Sequence, residues 1–266
     1  MNRMERLHIL VVDDQPNVLR AYRRLLGQKH QHHVVCARMA STALSLAQDQ
    51  LFDIVFVDAK MPYKDAALGG LIVAEELIRL LGRNSVILMS QYDVRDWLAT
   101  CNLDCAFVPK PEGLTDLEAW LEEELMPEVE EQVRNQYGFM VMPYKNEAHD
   151  EWYREKLLPW MQEAGYTMRR MDEIPTKRPI NTEMLKRIRE ANFVAVYIPE
   201  KNPNVYFEAG YAMALEKFCM VFAADPELLP FDVRPNHAFR LHGVEDDQLR
   251  AQVLDFMSKS RGGIGG

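Results

Sequence analysis

The sequence predicts an α/β protein of two domains, each built on a parallel sheet. Three observations carry that prediction: the length, short apolar runs alternating with stretches of helical periodicity, and polar or acidic groups where the runs end. The chain has 266 residues, room for about two domains at roughly 150 residues each. Its 48% hydrophobic and 27% charged content suits a soluble globular chain. No apolar run is long enough for a membrane span and the charged N-terminus does not read as a secretory leader, so a cytoplasmic protein without membrane partners is expected.

The first run, residues 7–12 (LHILVV), ends in Asp13-Asp14, as a strand that delivers two acids to its carboxyl end does. Helical spacing follows around Val18, Leu19, Tyr22 and Leu25, then a strand at Val34-Val35 and a helix at Ala43, Leu44 and Ala47. Residues 52–59 (FDIVFVDA) form the third strand and 72–81 a helix. Residues 86–89 and 106–108 supply the last two strands. These five β/α units have acids at the ends of the first and third strands. Leu114, Leu117, Leu121 and Leu125 then make a helical stripe amid glutamates, and Pro127 either breaks that helix or starts a new one. The domains are expected to be 1–126 and 137–261, with an acidic helical linker at 127–136 and a flexible GGIGG tail at 262–266.

The second domain opens with FMVMP from Phe139 and an aromatic helix around Trp152, Tyr153, Leu157 and Trp160 that ends near Gly165. Leu185 and Ile188 mark a helix before the strand FVAVYI at 193–198. A polar turn leads into a helix over 205–216, a strand at 219–223 and a closing helix over 249–257. The two tryptophans, eight residues apart, share a broad helix face, which packing explains.

Composition narrows the function classes. With 31 Lys and Arg against 40 Asp and Glu, the formal charge is −9, which disfavours broad electrostatic DNA binding while permitting a local basic patch. No helix-turn-helix with a basic recognition helix is evident. Of the cysteines 36, 101, 105 and 219 only the middle pair is close, and without nearby histidines neither a zinc cluster nor a disulfide framework is expected.

Asp13, Asp14 and Asp58 should converge at the strand ends, an oxygen-rich set that suits a hard divalent ion such as Mg²⁺. Ser90 follows VILM and Lys110 follows AFVP, so a hydroxyl and an ammonium at two further strand ends can contact phosphate oxygens. Singly, each residue reads as well as a cap, a turn or a solvated side chain. Together, LHILVVDDQP, FVDAKMP, ILMSQY and FVPKP, from about residue 6 to 125, closely resemble the response-regulator receiver family. That resemblance implies a five-stranded doubly wound fold, phosphorylation of Asp58 by a histidine kinase, and self-catalysed phosphorylation and dephosphorylation. It also implies Mg²⁺ held by Asp13, Asp14, Asp58 and the backbone carbonyl of Lys60, phosphoryl contacts from Ser90 and Lys110, and a switch through Ser90 and Phe107. Phe107 reads equally well as a core aromatic. Gly69-Gly70 match the expected glycine stretch, but the YKDAALGG insertion departs from the shortest family patterns.

In NPNVYFEAGYAMAL, Pro203 prepares a helix and Glu208 lies one turn beyond Asn204. A carboxylate there could attack a sugar carbon or stabilise an oxocarbenium ion; a helix-side salt bridge or hydrogen bond is the alternative. FMVMPYKNE, RRMDEIP, IREANFVAVYI, NPNVYFEAGYAMAL and LPFDVRP resemble the nucleoside 2-deoxyribosyltransferase-like group, related in architecture to Toll/interleukin-receptor-like domains. The resemblance implies a parallel-sheet nucleotide-processing fold, with Glu208 acting at the sugar and Tyr144, Arg170, Asp172, Tyr197 and Asn204 near a nucleotide or nucleoside. Asn192 and Tyr197 stand where that group often has acids, which weakens the case for catalysis. A noncatalytic nucleotide-sensing or docking domain is the alternative, and a DNA-binding regulator the third. A homodimer or a downstream protein would complete the signalling path.

Overall fold

The computed structural model describes residues 6–64, 68–101, 103–111, 117–229 and 238–261. Leu114, most of LPFDVRP, the tail at 262–266 and the middle of the YKDAALGG insertion lie outside the described residues. The chain divides into two compact units between Gln136 and Tyr137.

The first unit is a parallel sheet of β1 (His8–Val12), β2 (His33–Ala37), β3 (Ile54–Asp58), β4 (Val86–Ser90) and β5 (Ala106–Pro109), in the order β2-β1-β3-β4-β5. Its central strands read as continuous apolar runs because both faces are covered. Leu10, Val12, Val55, Val57 and Leu88 pack against helices Ala40–Asp49 and Gly69–Leu81. Ile9, Val11, Phe56, Ile87 and Met89 pack against helix Pro16–Tyr22 and the helical residues 117–135.

The acidic segment expected as a linker is the helix Met126–Asn135, and Val129 and Val133 bury its inner face in the first unit. Pro127 stands in the first turn of that helix, where its missing N–H is tolerated, so it starts the new helix as the second alternative expects. Lacking an N–H and crowding the carbonyl four residues back, the proline follows a widened π-helical turn, Leu121–Leu125, closed by the Met126 N–H on the Leu121 carbonyl. Pro159 follows the same kind of turn, Tyr153–Leu157, in the second unit.

The second unit is a parallel sheet of β6 (Gly138–Val141), β7 (Met168–Arg170), β8 (Phe193–Ile198), β9 (Cys219–Ala223) and β10 (Ala238–Arg240). Its order, β10-β9-β8-β6-β7, repeats the winding of the first. Helices Ile180–Glu190 and Pro203–Ala214 cover the face carrying Val141, Val194, Val196, Ile198 and Val221. The opposite face meets the aromatics: Trp152 stacks on Tyr197 at 4.1 Å between ring centroids and meets Phe222 edge-on at 5.3 Å. Trp152 and Trp160 are both buried, as packing predicts. Among the described residues, no helix is long and apolar enough to cross a membrane.

Candidate functional site

In a sheet wound this way, the connections leaving the paired first and third strands run to opposite faces at their carboxyl ends and leave a crevice there. Asp13 follows β1 and Asp58 ends β3 at that crevice. Asp13 is fully buried; its Oδ1 accepts from the Gln15 backbone N–H at 2.9 Å and its Oδ2 from Lys110 Nζ at 2.7 Å. The same ammonium donates to Asp58 Oδ1 at 2.8 Å. Lys110 is fixed in turn by its own backbone N–H, which donates to the Ser90 carbonyl at 2.8 Å, so the end of β5 is tied to the end of β4. The buried Ser90 hydroxyl accepts from the Tyr92 N–H at 3.1 Å.

A cavity of about 200 Å³ opens here, lined by Asp58, Lys60, Ser90 and Lys110 together with Tyr22 and Tyr92. Burial raises the Asp58 carboxyl above the ordinary aspartate value; Lys110 opposes that shift, and the charges of Asp13 and Asp14 add to it. The Lys60 ammonium rests on the Tyr92 ring, 3.6 Å from its centroid. Phe107 is half-buried against the core and outside the cavity lining, with the Arg95 guanidinium 5.4 Å from its ring centroid. Gly69 and Gly70 have a steric cause. A Cβ on Gly70 would meet the Asp58 carbonyl oxygen at 1.9 Å, and one on Gly69 the Tyr63 amide nitrogen at 2.3 Å.

Among the described residues, no three Asp, Glu, His or Cys side chains are gathered closely enough to hold a metal ion. The donor chemistry still fits Mg²⁺. Magnesium takes one or two carboxylates and completes its shell with water and phosphate oxygens. When ionised, Asp13, Asp14 and Asp58 outweigh the Lys110 ammonium by two negative charges. Tyr22 and Gln15 are site residues that the sequence did not disclose; Tyr22 sat in a helical apolar stripe and was indistinguishable from core.

The second unit has a cavity of about 280 Å³ beside the corresponding crevice between β6 and β8, lined by Met142, Pro143, Tyr144, Asn202, Asn204 and Glu208 among others. Asn202 caps the helix Pro203–Ala214, its Oδ1 accepting from the N–H groups of Asn204 and Val205, and one turn on the helix presents Glu208. Glu208 is buried, its Oε2 has no hydrogen-bond partner, and burial alone pushes its pKa up to about 7. Burial raises the Tyr144 phenol too, with the charges of Glu208 and Asp172 adding.

The other expected residues lie outside this lining. Arg170 is buried and committed: Nε and Nη2 donate to Asp172, and Nη1 donates to Asp150 at 2.5 Å. Tyr197 alternates with Val196 and Ile198 and so faces the opposite side of β8, against Trp152 and His149. Phe207 and Ile180, which sequence reasoning passed over, line the cavity while exposing much of their apolar surface.

Residues 9–122 match the family model of the response regulator receiver domain. The first unit therefore carries a receiver domain of the two-component response-regulator kind. Among solved structures, a CheY-like receiver domain protein from Methanospirillum hungatei is 22% identical, with 49% of this chain and 97% of that one covered and a TM-score of 0.39. The response regulator TrrA from Thermotoga maritima, solved in complex with Mg²⁺-BeF, is 27% identical over 45% of this chain and 97% of its own, with a TM-score of 0.34. The response regulator domain of Thermotoga maritima CheB is 21% identical over 48% and 96%, with a TM-score of 0.37. No curated protein matches the chain.

Proposed function

We propose that the protein is a cytoplasmic response regulator in which Asp58 takes a phosphoryl group from a histidine kinase and thereby controls the second unit. The observation that carries this reading is the Lys110 ammonium held between Asp13 and Asp58 beside the buried Ser90 hydroxyl. The Asp58 carboxylate attacks phosphorus. Lys110 and Ser90 neutralise and hydrogen-bond the phosphoryl oxygens. Mg²⁺, held by Asp13, Asp14, Asp58 and the Lys60 carbonyl, supplies charge neutralisation when bound. Ser90 then moves toward the phosphoryl group and Phe107, half-buried and paired with Leu88 two residues before Ser90 on the same strand, follows. Intact-mass analysis with Mg²⁺ and acetyl phosphate tests the reading: a phosphate adduct in wild type and none in Asp58→Asn is expected, and an undiminished adduct in that variant overturns it.

For the second unit, the proposed output is chemistry at the bond between a base and a sugar, with Glu208 acting at the sugar. What supports it is an unpartnered carboxyl oxygen at a cavity that also offers Tyr144 and Asn204. The volume of about 280 Å³ lies just below the ~300–1,000 Å³ usual for ligand sites, which limits the occupant to a small molecule. Arg170, with its donors taken by Asp172 and Asp150, serves as a support for the cavity wall. The test is a chromatographic screen of nucleosides and NAD for base release, against Glu208→Ala. A product lost in the variant supports an enzyme output. Binding without turnover would leave a sensing domain.

A further inference from the structure

Tyr22 closes the helix Pro16–Tyr22 and forms, with Gln15 and Val18, the stripe of that helix that lines the first cavity. It is 1% exposed. A buried phenol ordinarily satisfies its O–H with an oxygen acceptor. Here the hydroxyl donates to the Met89 thioether at 3.3 Å, a weak acceptor. Met89 is the register neighbour of Asp58 across β3 and β4, and Phe56, two residues before Asp58 on the same face, meets the Tyr22 ring at 6.1 Å. Burial raises the phenol above its ordinary value, with the charges of Asp13 and Asp58 adding, so it keeps its proton. Lys110, the ammonium in this layer, is divided between two carboxylates. A donor with a weak partner thus lines the same cavity as Asp58, whose carboxylate shares one cation with Asp13.

We infer that Tyr22 is a positioning residue for the reaction at Asp58: its hydroxyl exchanges the Met89 thioether for the Asp58 carboxyl oxygen from which phosphate departs, and shortens the life of the acyl phosphate. The inference rests on the proposed phosphorylation of Asp58. In hydrolysis the water oxygen bonds to phosphorus, and the bond from phosphorus to the Asp58 oxygen breaks with its electron pair left on the carboxylate. Both protons of the water leave with the phosphate, as dihydrogen phosphate. Tyr22 transfers nothing; it donates a hydrogen bond that strengthens as negative charge returns to the carboxylate, and so favours the transition state over the acyl phosphate.

The test follows the decay of the phosphorylated full-length protein by intact mass after removal of acetyl phosphate, in wild type, Tyr22→Phe and Met89→Leu. Tyr22→Phe keeps the ring and its packing. It is expected to lengthen the half-life about fivefold, the worth of one hydrogen bond of ~1 kcal/mol. Met89→Leu removes the competing acceptor and is expected to shorten the half-life. Opposite signs in the two variants support the exchange, since loosened packing alone would move both the same way and slow phosphorylation as well. Equal half-lives in wild type and Tyr22→Phe, or longer half-lives in both variants, overturn the inference and leave the phosphoacceptor role standing. A wild-type protein that takes no phosphate overturns that role, and this inference with it.

Discussion

The two units wind five parallel strands in the same order and each sets carboxyl groups near the corresponding crevice of its own sheet, but they treat the charge differently. Asp13 and Asp58 share the Lys110 ammonium and are flanked by the Ser90 hydroxyl. Glu208 sits among Met142, Pro143, Val205 and Tyr144 with an oxygen that nothing bonds. Arg170, a buried cation of the same unit, is spent on Asp172 and Asp150. What separates the two sites is therefore the counter-charge that the neighbouring strands bring. The first, net negative around a single ammonium, is suited to a divalent cation. The second holds a carboxyl poised between its two protonation states near neutral pH.

The strongest way to break the contrast is to remove the acid of the first site. Asp58→Asn should lose the phosphate adduct completely while remaining folded, because a carboxyl that burial already disfavours in its charged form is replaced by a neutral isostere. Gly70→Ala attacks the same site through the backbone. With the Asp58 carbonyl 1.9 Å from the new methyl group, the loop after β3 must move, and a loss of about 3 kcal/mol, the upper end for overpacking, is expected in urea unfolding. An unchanged urea midpoint would show that the approach is not tight.

The second site makes an opposite, pH-dependent demand. Burial raises Glu208 from 4.5 to about 7, so the folded state holds this proton more tightly than the unfolded chain does. The resulting stability is present below the unfolded pKa and is lost as the pH climbs from 4.5 through 7. Roughly 2–3 kcal/mol should disappear across that window. Glu208→Gln should flatten this part of the stability curve; a profile identical to wild type would mean that the carboxyl is solvated or paired. The smallest effect is expected at Gly210, on the helix that carries Glu208, where a Cβ meets nothing within 4 Å. Gly210→Ala should stabilise the fold by about 0.5–1 kcal/mol through helix propensity, read as a small rise in Tm.

The strand-end acids, Ser90 and Lys110 were legible because each closes an apolar run, and the register of a parallel sheet does the rest. FVAVYI and the strand at 219–223 were legible for the same reason. Met168–Arg170 and Ala238–Arg240 were not, since three residues carry no periodicity and arginines do not read as strand. The position of Glu208 followed from its helical distance to Asn204, but the company it keeps did not. Arg170 and Asp172 looked like two ligand contacts and prove to bond each other. Tyr197 looked available because the sequence gives its spacing and not which face of β8 meets the cavity. Tyr22 shows the reverse limit, a polar atom concealed in an apolar pattern.

One further consequence lies at the foot of the first sheet. The Gln136 side-chain amide donates to the carbonyls of Asp53 and Asn84, at 2.5 and 2.9 Å, and to the Ser85 hydroxyl at 3.2 Å. Asp53 immediately precedes β3 and Asp58 ends it, so a single strand of about 16 Å separates the acid from the last residue of the unit. β3 acts as a strut, with the chemistry at one end and the departing chain moored to the other. A shift of β3 along its own axis would tug on that mooring directly, with no helix in between to absorb the stroke.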